Sequence, residues 1–440
     1  MKFGSTYSEF HMKKQLRKYH LSRELGLLSV TLSGVGIIFG AGIYALIGKG
    51  ALLAGNAVWL SFVLGAVFAI FTGLSYAELS SMLPKAGAEY VYVENAFGRK
   101  LAFVIGWLII VSGVIAGATV SLGFAGYFSA LFKTPLVSTA IGLIIALTLL
   151  NLYGIKQTTE YAIISTLIET AGLLLIIAIG LPHITSVNLF EMPNGIPGIF
   201  SAAALIFFAY IGFEDIVRLS EETKNPTVTI PRALILAIAI STVVYILVSL
   251  AAVGSIGWQA LGASSAPLAS VAYSVLGKNA FFLLAIIALF ATSNTVLLFL
   301  AATSRLIYGM ANEKSIPQIF SAVHKTCKTP YIAIIVAGIF AILFCFSAKI
   351  ELVASITDFA VFVTFAFINA CVIYLRYKWS AVRRPFKVPL NIGKFPLLPL
   401  LGIIVSILML ASFGFWVIFF GLITIGSGFL VFELLERKNI

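Results

Sequence analysis

Long apolar runs separated by short polar stretches dominate this chain of 440 residues. After a polar, basic tail over residues 1–25, apolar segments run at about 26–48, 55–82, 100–131, 135–153, 160–181 and 197–219. A second set follows at about 231–254, 278–309, 331–348, 354–376, 395–412 and 414–434. Only Ser412-Phe413-Gly414 offers a turn between the last two. Each segment is long enough for the ~20-residue helix that crosses a bilayer. Stretches such as 101–131 and 278–302 are apolar all round, without the alternation of a barrel strand. Lipid offers the backbone no hydrogen-bond partners, so helices are the spanning form that fits. The pattern predicts an all-α integral membrane protein of twelve transmembrane helices.

Composition narrows the class further. Sixty per cent of the residues are apolar and only 10% charged, against roughly 25% charged in a soluble domain. The mean hydropathy is +1.06. A soluble enzyme, a disordered chain, a coiled coil and a disulfide scaffold are all excluded. Cys327, Cys345 and Cys371 have no ligand spacing and form no disulfide framework, so neither a metal nor a cofactor is expected.

The formal charge of +12 first suggests a nucleic-acid partner, but the placement of the cations gives another reason for it. With the N-terminus inside, 25 of the 29 Lys and Arg fall on the inner side, leaving Lys49, Lys133, Lys278 and Lys349 outside. That asymmetry predicts a multi-pass protein of the cell membrane with both termini cytoplasmic, whose partner is lipid and not nucleic acid. The tail is too long and too charged for a signal peptide.

Two spans are interrupted. Gly34-Val35-Gly36-Ile37-Ile38-Phe39-Gly40-Ala41-Gly42 puts four glycines within nine residues of the first span. Glycine there serves either close helix packing or a local unwinding whose freed amides face a buried polar ligand. In the sixth span, Phe207-Phe208-Ala209-Tyr210-Ile211-Gly212-Phe213-Glu214-Asp215 places a glycine among aromatics and follows it with two acids. Breaks five spans apart imply an inverted second copy, with repeats over 26–181 and 197–376 and peripheral helices over 395–434. Paired breaks of this kind point to a substrate site at the midplane.

These residues resemble the amino acid–polyamine–organocation superfamily of secondary transporters over nearly the whole chain. Phe39-Gly40-Ala41-Gly42-Ile43-Tyr44 is similar to its first-span break. Tyr76-Ala77-Glu78-Leu79 with Pro84-Lys85-Ala86-Gly87-Ala88-Glu89-Tyr90 resembles its first inner loop. Gly212-Phe213-Glu214, Glu221-Glu222-Thr223-Lys224-Asn225-Pro226 and Ile230-Pro231-Arg232-Ala233 are the most specific part. Ser304-Arg305-Leu306-Ile307-Tyr308-Gly309 and Arg383-Arg384-Pro385-Phe386 complete the order. The resemblance implies a leucine-transporter-like core, with ten helices in two inverted five-helix repeats plus two more. It also implies amino acid substrates moved by alternating access. Amides at Gly40, Ala41, Gly42 and Ile43 suit a carboxylate, and carbonyls around Phe207, Phe208, Tyr210 and Gly212 suit an ammonium group. By analogy Phe208 is an aromatic gate over the substrate, in a chain whose 36 Phe also serve packing.

Acids within spans are costly, about 3 kcal/mol at the centre, and are therefore functional candidates. Glu78 is expected to pair with inner-loop cations. Glu214 and Asp215 either latch the inner gate or are solvated, Glu221 and Glu222 are loop residues, and Asp358 is shallow. Glu169 differs, lying midway along the fifth span without a cation in that span. In several members of the resembling family a lysine holds the aligned position, so this chain inverts the sign. A carboxyl away from water and cations favours its protonated form, which suits proton coupling. The alternatives are a permanently neutral Glu with a structural role, and an ion ligand that recruits Ser293 and Asn294 for sodium. The four histidines (His11, His20, His183 and His324) lie in tails or loops, which argues against a membrane enzyme. A transporter-fold nutrient sensor would be expected to carry an added soluble domain. A sodium symporter or an exchanger is the closer competitor.

Overall fold

The computed structural model describes residues 22–264, 267–346, 350–411 and 413–438. Outside them lie residues 1–21 of the expected tail, with His11 and His20, and also Lys349 and Ser412. The side chains of Ala41 and Phe208, two candidate site residues, lie outside the described part as well.

Helices in chain order are α1 (Leu27–Ala54), α2 (Val58–Met82), α3 (Ala88–Phe97), α4 (Arg99–Phe132), α5 (Leu136–Tyr153) and α6 (Ile155–Gly180). They continue with α7 (Gly195–Ile206), α8 (Pro226–Ala263), α9 (Pro267–Leu276), α10 (Asn279–Asn312), α11 (Tyr331–Phe344) and α12 (Ile350–Lys378). A two-residue hairpin, β1 (Asn391–Ile392) with β2 (Phe395–Pro396), precedes α13 (Leu397–Ala411) and α14 (Phe415–Lys438). Among the described residues nine helices are long and apolar enough to cross a membrane, and α7, α9, α11 and α13 are shorter apolar helices. The protein is a multi-pass, all-α integral membrane protein.

The continuous apolar runs become helices because only an intrasegment ladder satisfies their amides in lipid. Their ends fall where the sequence supplies stops. Asn225 adopts a left-handed conformation (φ 49) directly before Pro226, whose fixed φ and missing N–H suit the first helical position. The core forms where α1 meets α7, α8, α6 and α10, while α2 lies along α8 and α4 along α10. By contrast α14 rests on α4 and α12 with only 17% of its apolar window buried, so most of it faces lipid.

Candidate functional site

Both expected interruptions are present, and they touch. Within α1, Gly40 departs from helical geometry (φ −18, ψ −153) and splits the helix. After α7 the chain tightens into a 3₁₀ turn over Phe207–Tyr210, reverses at Gly212 (φ 114) and resumes as a 3₁₀ segment over Phe213–Glu222. A side chain at Gly212 would require the left-handed region and would collide with Ile37. At Gly42 a Cβ would stand 2.6 Å from the Ala209 Cα, so the two breaks are in backbone contact. The Tyr245 hydroxyl of α8 joins them, donating to the carbonyls of Ile38 and of Ala209, the latter at 2.9 Å.

Beside this junction lies about 680 Å³ of empty space, counting what opens to solvent. Its walls are mainly aliphatic, with Ile37, Ile38, Ile109, Ile211 and Val361, and Gly42 lies on the wall as well. Ser112, Thr295, Thr357 and Thr364 add hydroxyls, and Glu214, Asp215 and Arg218 close the end nearest α3. The acids there do not stand alone. Arg218 grips Glu89 through Nε (3.2 Å) and Nη2 (2.9 Å) and also bonds Asp215. Glu214 accepts the Gly212 amide at 2.9 Å, which holds the reversal in shape.

Behind the first break is Glu169, fully buried on α6. The Asn294 amide donates to Thr166 Oγ1 at 3.0 Å and reaches Glu169 Oε1 at 3.4 Å. Among the described residues, Glu169 Oε2 and Asn294 Oδ1 have no hydrogen-bond partner. A Cβ at Gly36 would run into Thr166 and Asn294, so this polar cluster abuts α1.

The amino acid permease family model matches residues 25–432. The chain belongs to the amino acid permease family. This permease is 31% identical to the branched-chain amino acid permease BcaP of Bacillus subtilis (strain 168), over 95% of its own length and 94% of the relative's. It is 30% identical to the methylthioribose transporter of the same organism, over 97% and 96% respectively. With the cationic amino acid transporter 4 of Mus musculus it shares 29% over 81% of its length, spanning 60% of that relative. The amino acid–polyamine–organocation resemblance therefore holds, and the permease is a transporter, not an enzyme.

The permease distributes the sequence-nominated residues unevenly. Gly42 and Glu214 line the cavity. Gly40 is packed under Thr295, and Ile43 is buried. Phe207 packs against Phe362 in a tilted pair at 5.0 Å, and the Tyr210 hydroxyl donates to the Phe62 carbonyl at 3.0 Å while its ring meets Tyr245 edge-on at 5.3 Å. Glu169 and Asn294 come together, whereas Ser293 turns to the Tyr161 hydroxyl at 2.8 Å. Adjacent helical residues point about 100° apart, so one of the pair must face elsewhere.

Glu78 pairs with Arg376 (2.5 Å) and Arg384 (3.0 Å) and accepts the Val388 amide at 2.8 Å. Glu222, expected in a loop, is instead fully buried and held by both nitrogens of the Arg305 fork at 3.1 and 3.2 Å. Asp215 and Glu214 are likewise buried, which removes the solvated reading. Sequence reading misses Tyr245 and Thr295 altogether.

Proposed function

We propose that the protein is a secondary active transporter that carries amino acids across the cell membrane by alternating access, with proton coupling through Glu169. The observation that carries this reading is the junction of the two breaks. Gly42 and Ala209 are in backbone contact beside a cavity, and one tyrosine bonds a carbonyl from each break. A zwitterion needs donors for its carboxylate and acceptors for its ammonium within one small volume. Broken helices supply both from the backbone. The amides at Gly40, Ala41, Gly42 and Ile43 receive the carboxylate in this reading, and the carbonyls from Phe207 to Gly212 receive the ammonium. Phe208 and Glu214 serve as gate residues. Aliphatic walls around the remaining volume favour an apolar side chain, which agrees with the branched-chain relative.

The layout proposed is twelve spans in two inverted repeats, over 26–181 and 197–376, with cytoplasmic termini. It pairs α1 with α7 and the following 3₁₀ segments, and α2 with α8. In the same way α4 answers to α10, α5 to α11 and α6 to α12. Packing of α4 on α12 and of α10 on α6 is the kind of matched pair such a repeat calls for.

Glu169 is proposed as the proton carrier because it is buried and, among the described residues, has one carboxyl oxygen without a partner and is bonded by an amide rather than a cation. A thermal-shift screen of the twenty amino acids on purified protein identifies the substrate. Uptake into proteoliposomes under imposed pH or sodium gradients then identifies the coupling ion. Glu169→Gln should still bind substrate, because the amide fills the same volume without a buried charge. It should lose accumulation driven by a pH gradient. Accumulation by the Gln variant at the parent's level refutes the role, and uptake that follows sodium alone moves the assignment to an ion site with Asn294.

A further inference from the structure

Between α12 and α13 the chain forms a firmly held loop that nevertheless turns apolar side chains outward. Glu78 of α2 anchors it. Its carboxylate takes Arg376 at 2.5 Å and Arg384 at 3.0 Å, and accepts the Val388 amide at 2.8 Å. Asn391 in β1 is drawn to the same anchor, bonding Arg376 and donating to the Val388 carbonyl at 2.9 Å. Side chains alternate across an extended segment, so its neighbours Leu390 and Ile392 face the other way. They are 63% and 69% exposed. Leu390 holds a left-handed backbone (φ 57), an unfavourable conformation for a bulky residue. Its carbonyl accepts the amide of Leu397, the first residue of α13, at 3.0 Å.

Unpaired cations stand in the same loop. Arg383, Lys387 and Lys394 flank the two apolar side chains in sequence and are exposed. Among the described residues none of the three pairs with an acid, in contrast to Arg376 and Arg384. The cations alone are what a cytoplasmic loop calls for. The aliphatic pair between them is not, because water gives it no reason to be held outward. The level of the bilayer surface is marked nearby. Tyr374 and Tyr377, near the end of α12, are exposed, and exposed tyrosines settle where hydrocarbon meets water. The apolar helix α13 begins directly after β2. The hairpin therefore lies at the height of the headgroups.

We propose that this hairpin is a docking surface for acidic phospholipid. Leu390 and Ile392 enter the acyl boundary, while Arg383, Lys387 and Lys394 meet the headgroup phosphates. A free phosphate would leave the apolar pair in water. A zwitterionic headgroup brings its own ammonium beside the phosphate and so gains less from the three cations. A basic residue at an acidic bilayer surface is worth about fivefold in preference. On the topology proposed above the leaflet is the cytoplasmic one, and docking of this kind is independent of what the protein carries. Because Glu78 ties the hairpin to α2 and α12, a docked hairpin braces the ends of both helices.

The full chain in phosphatidylcholine nanodiscs provides the test. A bimane label is placed on Ile392→Cys in a Cys327→Ser background, since Cys345 and Cys371 are buried. The discs contain the same small fraction of either spin-labelled phosphatidylglycerol or spin-labelled phosphatidylcholine, and the ratio of quenching reads the local enrichment of acidic lipid. The parent should show several-fold enrichment and little quenching by aqueous iodide. Lys394→Gln should lower the enrichment about fivefold. Leu390→Asn suits the left-handed backbone, so it should let iodide reach the label without lowering the melting temperature. Equal quenching by the two lipids overturns the proposal, as does enrichment that survives replacement of all three cations by Gln. A label reached by iodide and untouched by either lipid places the hairpin in water and overturns it. Protection from iodide and from both lipids means that protein, such as a second copy of the chain, covers the hairpin, and that also overturns it.

Discussion

Replacing Gly42 with alanine adds one methyl group where the backbone of the sixth-span break already sits. The new Cβ would be 2.6 Å from Ala209 Cα and 2.9 Å from Ala209 Cβ. Ordinary carbon–carbon contact begins near ~3.5 Å, so the two breaks must part by about 0.9 Å, the difference from the 2.6 Å contact. No flexible side-chain end is available to absorb that shift, because the atom met is backbone. Overpacking of this kind costs about 1–3 kcal/mol. A loss of 2 kcal/mol corresponds to roughly a 30-fold change in an equilibrium constant. Separation of the breaks also pulls Ile38 and Ala209 away from their shared tyrosine. We therefore expect Gly42→Ala to weaken substrate binding by about 10-fold to 100-fold, within that energy range, and to lower thermal stability in detergent. Gly126→Ala in α4 is the matched control, since a Cβ there meets nothing within 4 Å. It removes a glycine from a helix and should be neutral or slightly stabilising. Isothermal binding and scanning calorimetry on both variants give the comparison. If Gly42→Ala binds like the parent, the breaks do not form the site.

Three further outcomes follow from the geometry. A reporter fused after Ile440 should be cytoplasmic and one inserted within 183–196 external, and the opposite labelling would reject the proposed topology. Arg305→Met leaves the fully buried Glu222 without its partner and should destabilise by about 3–5 kcal/mol in chemical denaturation. Adding Glu222→Leu should recover most of that, and a double variant as weak as the single one would contradict the pairing. Burial pushes the Glu221 carboxyl above the ordinary range, although the Ala86 amide donates to it at 3.1 Å. A raised folded-state pKa means its contribution is complete below the unfolded value and fades as pH rises through the folded one. Melting temperature should therefore fall more steeply for the parent than for Glu221→Gln across and just above the carboxylate range, and parallel curves would refute it.

The two breaks are legible in the sequence because glycine inside an apolar run, and glycine followed by acids, conflict with an unbroken membrane helix. Glu169 stands out for the same reason, as a lone acid in an apolar run, and it is buried. What joins these parts is not legible. Tyr245 lies 36 residues from Ala209 and 207 from Ile38, and a tyrosine in an apolar run looks the same whether its hydroxyl meets lipid or a carbonyl. Glu222 reads as a loop acid because the segment after Gly212 is polar by composition. The chain nevertheless folds it against α10, where Arg305, 83 residues away, waits for it. Local pattern specifies which segments are helical and where they fail. The partners of buried polar atoms depend on contacts between distant segments, which a local pattern does not encode. The divergence of Ser293 from Asn294 is an exception, since helical geometry alone separates neighbours on a helix.

The single hydroxyl between the breaks is outnumbered. Tyr245 has one hydrogen to give and stands against two carbonyls, Ile38 and Ala209. At any instant one of them is served less well than the other, in a place where an underserved carbonyl is expensive. An ammonium group brings three hydrogens to the same spot. On the proposed reading, a guest that can bond both carbonyls at once relieves that shortage of donors. On that reading the tyrosine is a placeholder, and a bound ammonium group would change which break it holds.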